Sequence, residues 1–328
     1  MSYKNIYILG VGGSGMSSIA KYLKQKGDNV IGYDQRKSYV TNLLNQDGIK
    51  VVHTLDEITY EPESLYIYSS AIPIESDRFE DFYDKENVLS RPEYLKNLSE
   101  NHKIIGITGT HGKTSTTALL SHIFHFNNVN VSYLYGGITT FNGIGGHYGD
   151  PDQPLILETD EAFNTFEKIK ISDLLVLNVD SDHLDYFKNL DNYKDAFYKV
   201  MKNVTDNLVI NNDDLNIKSM KELKNPVSYG KDISADFKVQ SPGTFLYENN
   251  KYEIKSDIIG DHFKSNMLGA IILALLNGIE IEDSLNAIES FAGVKRRIEL
   301  IGISKGVLIY DDYGHHPTEM EATITALK

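Results

Sequence analysis

Cysteine is missing altogether from the 328 residues. That excludes a disulfide framework and a thiol nucleophile, and a reducing cytoplasm is the expected compartment. Basic residues are in deficit: 32 Lys and Arg face 46 Asp and Glu, a formal net charge of −14. A surface of that sign repels a phosphate backbone, so nucleic acid is not an expected partner. Long apolar runs are lacking too. The longest, Ala270 to Leu276, falls far short of the about 20 residues that span a bilayer, so no membrane partner is expected. No signal-peptide pattern stands at the start, where the first residues already read as a strand. Low-complexity tracts and repeats of solenoid period are absent. The remainder is an ordinary globular composition, on a chain long enough for two or more domains.

Against that background, "LGVGGSGMSS" carries Gly10, Gly12 and Gly15 at the G-x-G-x-x-G spacing. "KNIYIL" before it reads as a buried strand. "MSSIAKYLKQKG" after it puts Met16, Ile19, Ala20 and Leu23 on one helical face, with Gly27 as the stop. "NVIGYD" is a second strand, ending in Asp34 about where a βαβ unit sets its ribose-binding carboxylate. The loop residues Gly10, Gly12, Gly13, Ser14, Gly15 and Met16 would turn backbone N–H groups and a helix dipole toward an anion. The pattern specifies a phosphate; NAD, FAD and uridine nucleotides all offer the same diphosphate. Further on, "VTNLLNQDG" reads as a helix, Lys50 to His53 as a strand, and "SLYIYSSAIP" as a strand delivering Ser69 and Ser70 to the ligand end of the sheet. "RPEYLKNLSENH", with Pro92 in its first turn, is a helix and linker closing this unit near Asn101.

The pattern then restarts. "HKIIGITGTHGKTSTTALLSHIF" is again strand, glycine loop and helix, and Gly109 to Ser115 resembles a P-loop. Gly112, Lys113 and Thr114 match its G-K-[ST] end, while Ile107 stands where the standard motif wants glycine, which points to a shorter variant. In such a loop the backbone N–H groups wrap phosphate, the lysine reaches the β- and γ-phosphates, and the hydroxyl serves Mg²⁺. Gly109, Thr110, His111, Gly112, Lys113, Thr114 and Ser115 are thus expected to bind ATP. Two strands end in acids nearby, "PLILETDEAF" in Glu158, Asp160 and Glu161, and "LLVLNVDSDHLDYF" in Asp180, Asp182, His183 and Asp185. Oxygen donors beside a P-loop suit Mg²⁺. Arg296 and Arg297 in "VKRRIE" are candidates to neutralise phosphate. A third strand, loop and helix begins near Gly302, where Asp311 and Asp312 follow the strand of "GVLIYDDYGHHPTEM".

Two phosphate loops on one chain are more than a dehydrogenase needs. They suit an enzyme that holds a nucleotide-linked substrate on one loop and activates it with ATP on the other. At this point the resemblance becomes specific: "GVGGSGMSSIA", "TGTHGKTSTT", "NVDSDHLDYF", "GDHFKSNMLGA", "GVKRR" and "DDYGHHPTE" occur in the order found in the Mur ligases of peptidoglycan synthesis. The resemblance covers essentially the whole chain. It implies an α/β protein with a Rossmann-like UDP-substrate domain at 1–101, a P-loop-type central ATPase domain at 102–301, and the start of a third Rossmann-like domain at 302–328. Lys113, Glu158 and His183 are then the catalytic candidates, with Thr114, Glu158 and His183 as the metal set. His262, Asn266, Arg297 and Asp312 join the ATP loop, and the first loop with Asp34, Ser69 and Ser70 binds the UDP substrate. Tyr313 and His315 approach the incoming amino acid. Sister ligases place a carbamylated lysine where this chain has Phe197, with Lys199 out of register, which fits the alanine-adding branch.

The implied reaction joins L-alanine to the lactyl carboxylate of UDP-N-acetylmuramate through an acyl phosphate, with ATP and Mg²⁺, in a cytoplasmic monomer or homodimer. A ligase recycling a tripeptide onto the same sugar nucleotide is the nearest alternative. A non-catalytic nucleotide-binding protein and a nicotinamide dehydrogenase stand further off, the latter leaving "GTHGKTS" and "DDYGHHPTE" without a use. Family members continue into a complete third domain. The expectation is therefore that Ile309, Tyr310 and Ile324 lie exposed unless docked, and that this chain binds the sugar nucleotide well, binds ATP weakly and turns over slowly.

Overall fold

The computed structural model describes residues 3–181, 184–220 and 223–328. They form two compact units: Met1–His102 with Val131–Gly136 and Ile144–Leu155, and Lys103–Asn130 with Gly137–Gly143 and Ile156–Lys328.

The first unit alternates strand and helix: β1 (Ile6–Leu9), α1 (Ser14–Lys26), β2 (Val30–Tyr33), α2 (Tyr39–Gln46), β3 (Lys50–Val52), β4 (Leu65–Tyr68), β5 (Val88–Ser90) and α3 (Arg91–Ser99). The strands pair in parallel in the order β3-β2-β1-β4-β5. Parallel neighbours need crossover connections, which α1 and α2 supply between β1, β2 and β3. All four residues of β1 are buried, which is why its run is apolar without alternation. Tyr7 stacks on Tyr66 at 4.9 Å, and Phe82 meets Tyr66 edge-on at 5.1 Å, so this core is built largely from rings. Gly27 ends α1 in the left-handed region at φ 100°, as the sequence pattern requires. The strand order reverses between β1 and β4, the switch point at which ligands enter such sheets.

The second unit starts with β6 (Ile104–Thr108) and α4 (Lys113–Phe126). Strands β7 (Ser132–Thr139) and β8 (Gly143–His147) each divide between the units. There follow β9 (Leu155–Glu158), β10 (Asp173–Val176), α5 (Leu184–Phe187), α6 (Leu190–Lys202), β11 (Asn207–Asn211), α7 (Leu215–Lys218) and β12 (Val227–Gly230). The chain continues through β13 (Phe237–Ser241), β14 (Thr244–Tyr247), β15 (Asn250–Glu253), α8 (Asp261–Leu276), α9 (Ile281–Glu289), β16 (Glu299–Ser304), β17 (Val307–Asp311) and α10 (Pro317–Ala326). Strands run β15-β14-β13-β12-β11-β10-β6-β9. Pairing is parallel from β6 through β13 by way of β10, β11 and β12, and antiparallel from there to β15. Helix α8 is buried from Asn266 to Ala274 and lies against α4 and α9, so its apolar residues go all the way round.

The C-terminal segment has the expected strand and helix in β17 and α10, and adds β16, which pairs antiparallel with β17 across the turn at Lys305 and Gly306. Ile309 and Ile324 are exposed as anticipated, at 42% and 57%, whereas Tyr310 is half-buried. No helix among the described residues is long and apolar enough to cross a membrane.

Candidate nucleotide sites

In the first unit the glycine loop leads from β1 into α1. Gly10 sits at φ 80°, and a Cβ there would meet Ser69 Cβ at 3.0 Å, so the loop and the end of β4 close on each other. Asp34 lies beneath the loop. Its Oδ2 accepts from Gly12 N at 2.9 Å and its Oδ1 from Arg36 N at 2.9 Å, so the expected ribose ligand also braces the loop. A Cβ on Gly15 would lie 2.8 Å from Arg91 Nε, which places the guanidinium over the first turn of α1. Arg91 belongs to this site and carried no motif in the sequence; only the parallel pairing of β5 beside β4 brings it there.

In the second unit Gly109 (φ 143°) and Gly112 (φ 84°) shape the loop between β6 and α4. Both lie where side chains have no room. A Cβ on Gly109 would meet Leu177 Cβ at 3.0 Å, and one on Gly112 would run into the Asn266 side-chain amide. Asn178 holds the loop like a paired strand: its Oδ1 accepts from His111 N at 2.8 Å, and its Nδ2 donates to His111 O at 3.0 Å. Thr110 Oγ1 accepts from Asp180 N at 2.9 Å and shares a hydrogen bond of the same length with the Tyr193 hydroxyl.

Lys113 opens α4 with its ammonium turned into the loop. It donates to Gly109 O at 2.7 Å, Thr110 O at 3.0 Å and Glu161 Oε1 at 2.9 Å. Burial works against its charge, but the Glu161, Asp160 and Glu158 carboxylates more than offset this and hold its pKa above the ordinary range. Burial pushes the Glu161 carboxyl up, opposed by Lys113. Glu161 is thus a buried counter-ion of Lys113, its side chain wholly buried and also accepting from the Tyr193 hydroxyl at 3.2 Å. The sequence marked it only as one acid among several.

Thr114 Oγ1 donates to Glu158 Oε1 at 2.7 Å, so two of the three expected metal ligands are brought together at the end of β9. The third, His183, lies outside the described residues, as does Asp182. Phe197 is fully buried, edge-on to Phe166 and Tyr193, and Lys199 is exposed with Asp195 at 2.8 Å. Neither can present an amine to the site.

Beside the loop opens a cavity of about 530 Å³, lined by His111, Gly112, Ser115, His262, Asn266, Arg297 and Asp312 from the expected ATP set. The volume is typical of a small-ligand pocket. Its walls combine apolar Leu177, Phe263 and Ile298 with the amides and carboxylates of Asn211, Asp213, Asp214 and Asn216, a mixture that suits a purine and a ribose. Burial holds the His262 pKa down, with Asp312 and Asp261 opposing, so a neutral imidazole faces the cavity. Each Asp312 oxygen already accepts a backbone N–H, from Ile298 at 2.8 Å and Gly314 at 2.7 Å, and keeps a second lone pair for a sugar hydroxyl. Tyr313 and His315 do not line this cavity. The Tyr313 ring is half exposed beneath the Arg296 and Arg297 guanidinium groups at 5.0 and 5.3 Å, and His315 stands beside it at 5.5 Å.

Helix α10 reaches the phosphate loop through side chains the sequence did not single out. Thr318 Oγ1 donates to Asp180 Oδ2 at 2.9 Å. His111 lies between Asp180 Oδ2 and Glu319 Oε1, 3.2 Å from each. Burial lowers the His111 pKa, but the two carboxylates more than compensate and raise it; the same contact, against some burial, holds Glu319 down at about 2. His316 is the N-cap of α10, its ring accepting from Thr318 N at 3.3 Å just ahead of Pro317.

Two phosphate-type loops, a lysine and a Thr–Glu oxygen pair at one of them, and an adjoining base-sized cavity describe a nucleotide-dependent group-transfer enzyme. Comparison with known proteins agrees. The description "Mur ligase family, catalytic domain" matches residues 5–103, "Mur ligase middle domain" residues 107–274, and "Mur ligase, glutamate ligase domain" residues 296–328. The chain belongs to the Mur ligase family, and as such is an ATP-dependent carboxylate–amine ligase. It is 32% identical to the UDP-N-acetylmuramate–L-alanine ligase of Cytophaga hutchinsonii, over 99% of this chain and 74% of that one. Identity to the enzyme of the same name from Dictyoglomus turgidum is 33%, over 100% and 74%. The crystal structure of the UDP-N-acetylmuramate–alanine ligase of Thermotoga maritima superposes with a TM-score of 0.85 at 25% identity, covering 99% of this chain and 77% of that one.

Proposed function

We propose that the protein joins L-alanine to the lactyl carboxylate of UDP-N-acetylmuramate in the synthesis of peptidoglycan precursors in the cytoplasm. The observation that carries this reading is the start of α4, where Lys113 and the Thr114–Glu158 pair stand beside the 530 Å³ cavity. The alanine-adding choice is supported by the names of the relatives that match along the whole chain. The three-domain division at 1–101, 102–301 and 302–328 is part of the same proposal.

The loop at Gly10 to Met16 holds the UDP diphosphate against the N-terminus of α1, far in sequence from the chemistry, and this remote binding orients the carboxylate. ATP lies with its base in the cavity near Asn266 and His262 and its phosphates on Gly109 to Ser115. The carboxylate oxygen attacks the γ-phosphorus, the bond to the β-bridging oxygen breaks, and ADP leaves. The alanine amine then adds to the acyl phosphate carbon, loses a proton, and expels inorganic phosphate as the amide forms. Lys113 leaves its carbonyl partners to meet the transferred phosphoryl group. Hydroxyl and carboxylate oxygens 2.7 Å apart fit a hard dication, so Thr114 and Glu158 would hold Mg²⁺; when bound, it neutralises phosphate charge.

The test is ADP release with ATP, UDP-N-acetylmuramate and either L-alanine or a tripeptide acceptor, under single-turnover conditions that detect even slow chemistry. Alanine-dependent ADP release and an alanyl product are expected. Release with the tripeptide alone would transfer the assignment to the recycling reaction. Tight binding of NAD without binding of UDP-N-acetylmuramate would overturn the reading of the first loop.

A further inference from the structure

The contacts around His111 bring together more donors than a phosphate loop needs. One ligand atom each from His111, Asp180 and His316 lie within 4.8 Å of one another, and the two imidazole rings are 5.0 Å apart between centroids. The three come from separate places: the tip of the phosphate loop, the segment after β10, and the N-terminus of α10.

We propose that His111, Asp180 and His316 form a binding site for a borderline transition-metal dication of the Zn²⁺ type. It shares no residue with the Thr114–Glu158 pair. Two imidazoles and one carboxylate suit Zn²⁺, Co²⁺ or Ni²⁺, whereas Mg²⁺ favours an all-oxygen shell. Three protein ligands leave a coordination position open to water.

The surroundings supply what such ligands require. When His111 binds through Nε2, its Nδ1–H points at Glu319 Oε1, 3.2 Å away, and a carboxylate behind a ligating imidazole fixes its tautomer and orientation. Thr318 Oγ1 donates to Asp180 Oδ2 at 2.9 Å and so aims the carboxylate. Metal–ligand bonds of about 2.0–2.2 Å need the donors to draw together to about 3.3 Å, a shift within reach of side-chain rotation. His316 has the most to move. The bond it gives up, from Thr318 N, is a long one at 3.3 Å. His111 and Asp180 line the rim of the nucleotide cavity, so a bound dication would tether α10 to the phosphate loop at its edge.

Co²⁺ titration of the full chain without nucleotide, in excess Mg²⁺, is the direct test, with visible absorption and calorimetry as readouts. The expected result is one equivalent bound, with the intense d–d bands of a four- or five-coordinate site, displaced by Zn²⁺. His316→Asn keeps a good N-cap for α10 and should weaken Co²⁺ binding by at least about tenfold. Asp180→Asn should do the same, and Glu319→Gln, acting through His111, should weaken it by about 10–100-fold. His125→Asn removes an exposed imidazole elsewhere and should change nothing. Thermal melting of each variant checks that it is folded. Absence of the bands, displacement by Mg²⁺, or equal affinity in folded His316→Asn and the parent protein would overturn the proposal.

Discussion

Replacing Glu161 with Gln removes one charge and changes almost no volume, at a position with no solvent access. The Lys113 ammonium then stays buried without its contacting carboxylate. Breaking a buried pair from one side costs about 3–5 kcal/mol, because the remaining charge loses its compensation. Two carbonyls still accept from Lys113, at 2.7 and 3.0 Å, so the lower end, about 3 kcal/mol, is the expected figure. For domains of 150–250 residues each kcal/mol lowers Tm by about 2–4 °C, so a fall of about 6–12 °C should appear in calorimetry. The pH dependence has a definite sign. In the parent protein the Lys113 pKa is raised by folding, so its contribution is complete below the unfolded value and is lost as pH climbs through the folded one. In the variant, burial is opposed only by the more distant Asp160 and Glu158 carboxylates, so the folded pKa falls from its value in the parent. The gap between the two proteins is then full at neutral pH, where both lysines are charged, and should narrow as pH climbs through the folded value of the variant toward that of the parent. ATP offers Lys113 a replacement anion, so saturating ATP should raise Tm more in the variant than in the parent. A Tm within about 1 °C of the parent, with the same pH slope, would refute Glu161 as the buried counter-ion of the phosphate-loop lysine.

Lys113→Ala should lower phosphoryl transfer by several orders of magnitude and leave UDP-N-acetylmuramate binding intact; rapid-quench kinetics and calorimetry read the two separately, and unchanged turnover would contradict the assignment. Gly112→Ala runs into the Asn266 amide and holds alanine at φ 84°, so ATP affinity should fall at least about tenfold by calorimetry while the sugar nucleotide binds normally. Lys199→Ala should leave turnover unchanged, because the side chain is exposed and paired with Asp195 on its own helix; a marked loss would reopen a catalytic lysine at this position.

Helices and parallel strands were legible because their signals are local. The apolar run of β1, the face of Met16, Ile19, Ala20 and Leu23, and the stop at Gly27 lie within a few residues of one another, and each element formed where they stood. The second phosphate loop was legible for the same reason: glycines, lysine and threonine must be consecutive to wrap one phosphate. Of the seven expected residues that line the cavity, His111, Gly112 and Ser115 came from the loop motif and Arg297 from its charge, whereas His262, Asn266 and Asp312 were named by the family resemblance. Hairpin β16–β17 was read as a single strand, because nothing before Gly302 alternates strongly enough to announce a partner.

The sequence by itself thus determined the strand–loop–helix units that carry the two phosphate loops and which lysine and threonine would stand at the second, while the family resemblance named Glu158. Tertiary structure alone decided what faces them. Lys113 and Glu161 are 48 residues apart, His111 and Glu319 are 208 apart, and Arg91 reaches Gly15 only because β5 pairs next to β4. An acid carries no local mark that separates a solvated strand end from a buried counter-ion. The difference lies in desolvation and in a partner brought from elsewhere, and both exist only once the sheet has set its strand order and α10 has docked on the loop.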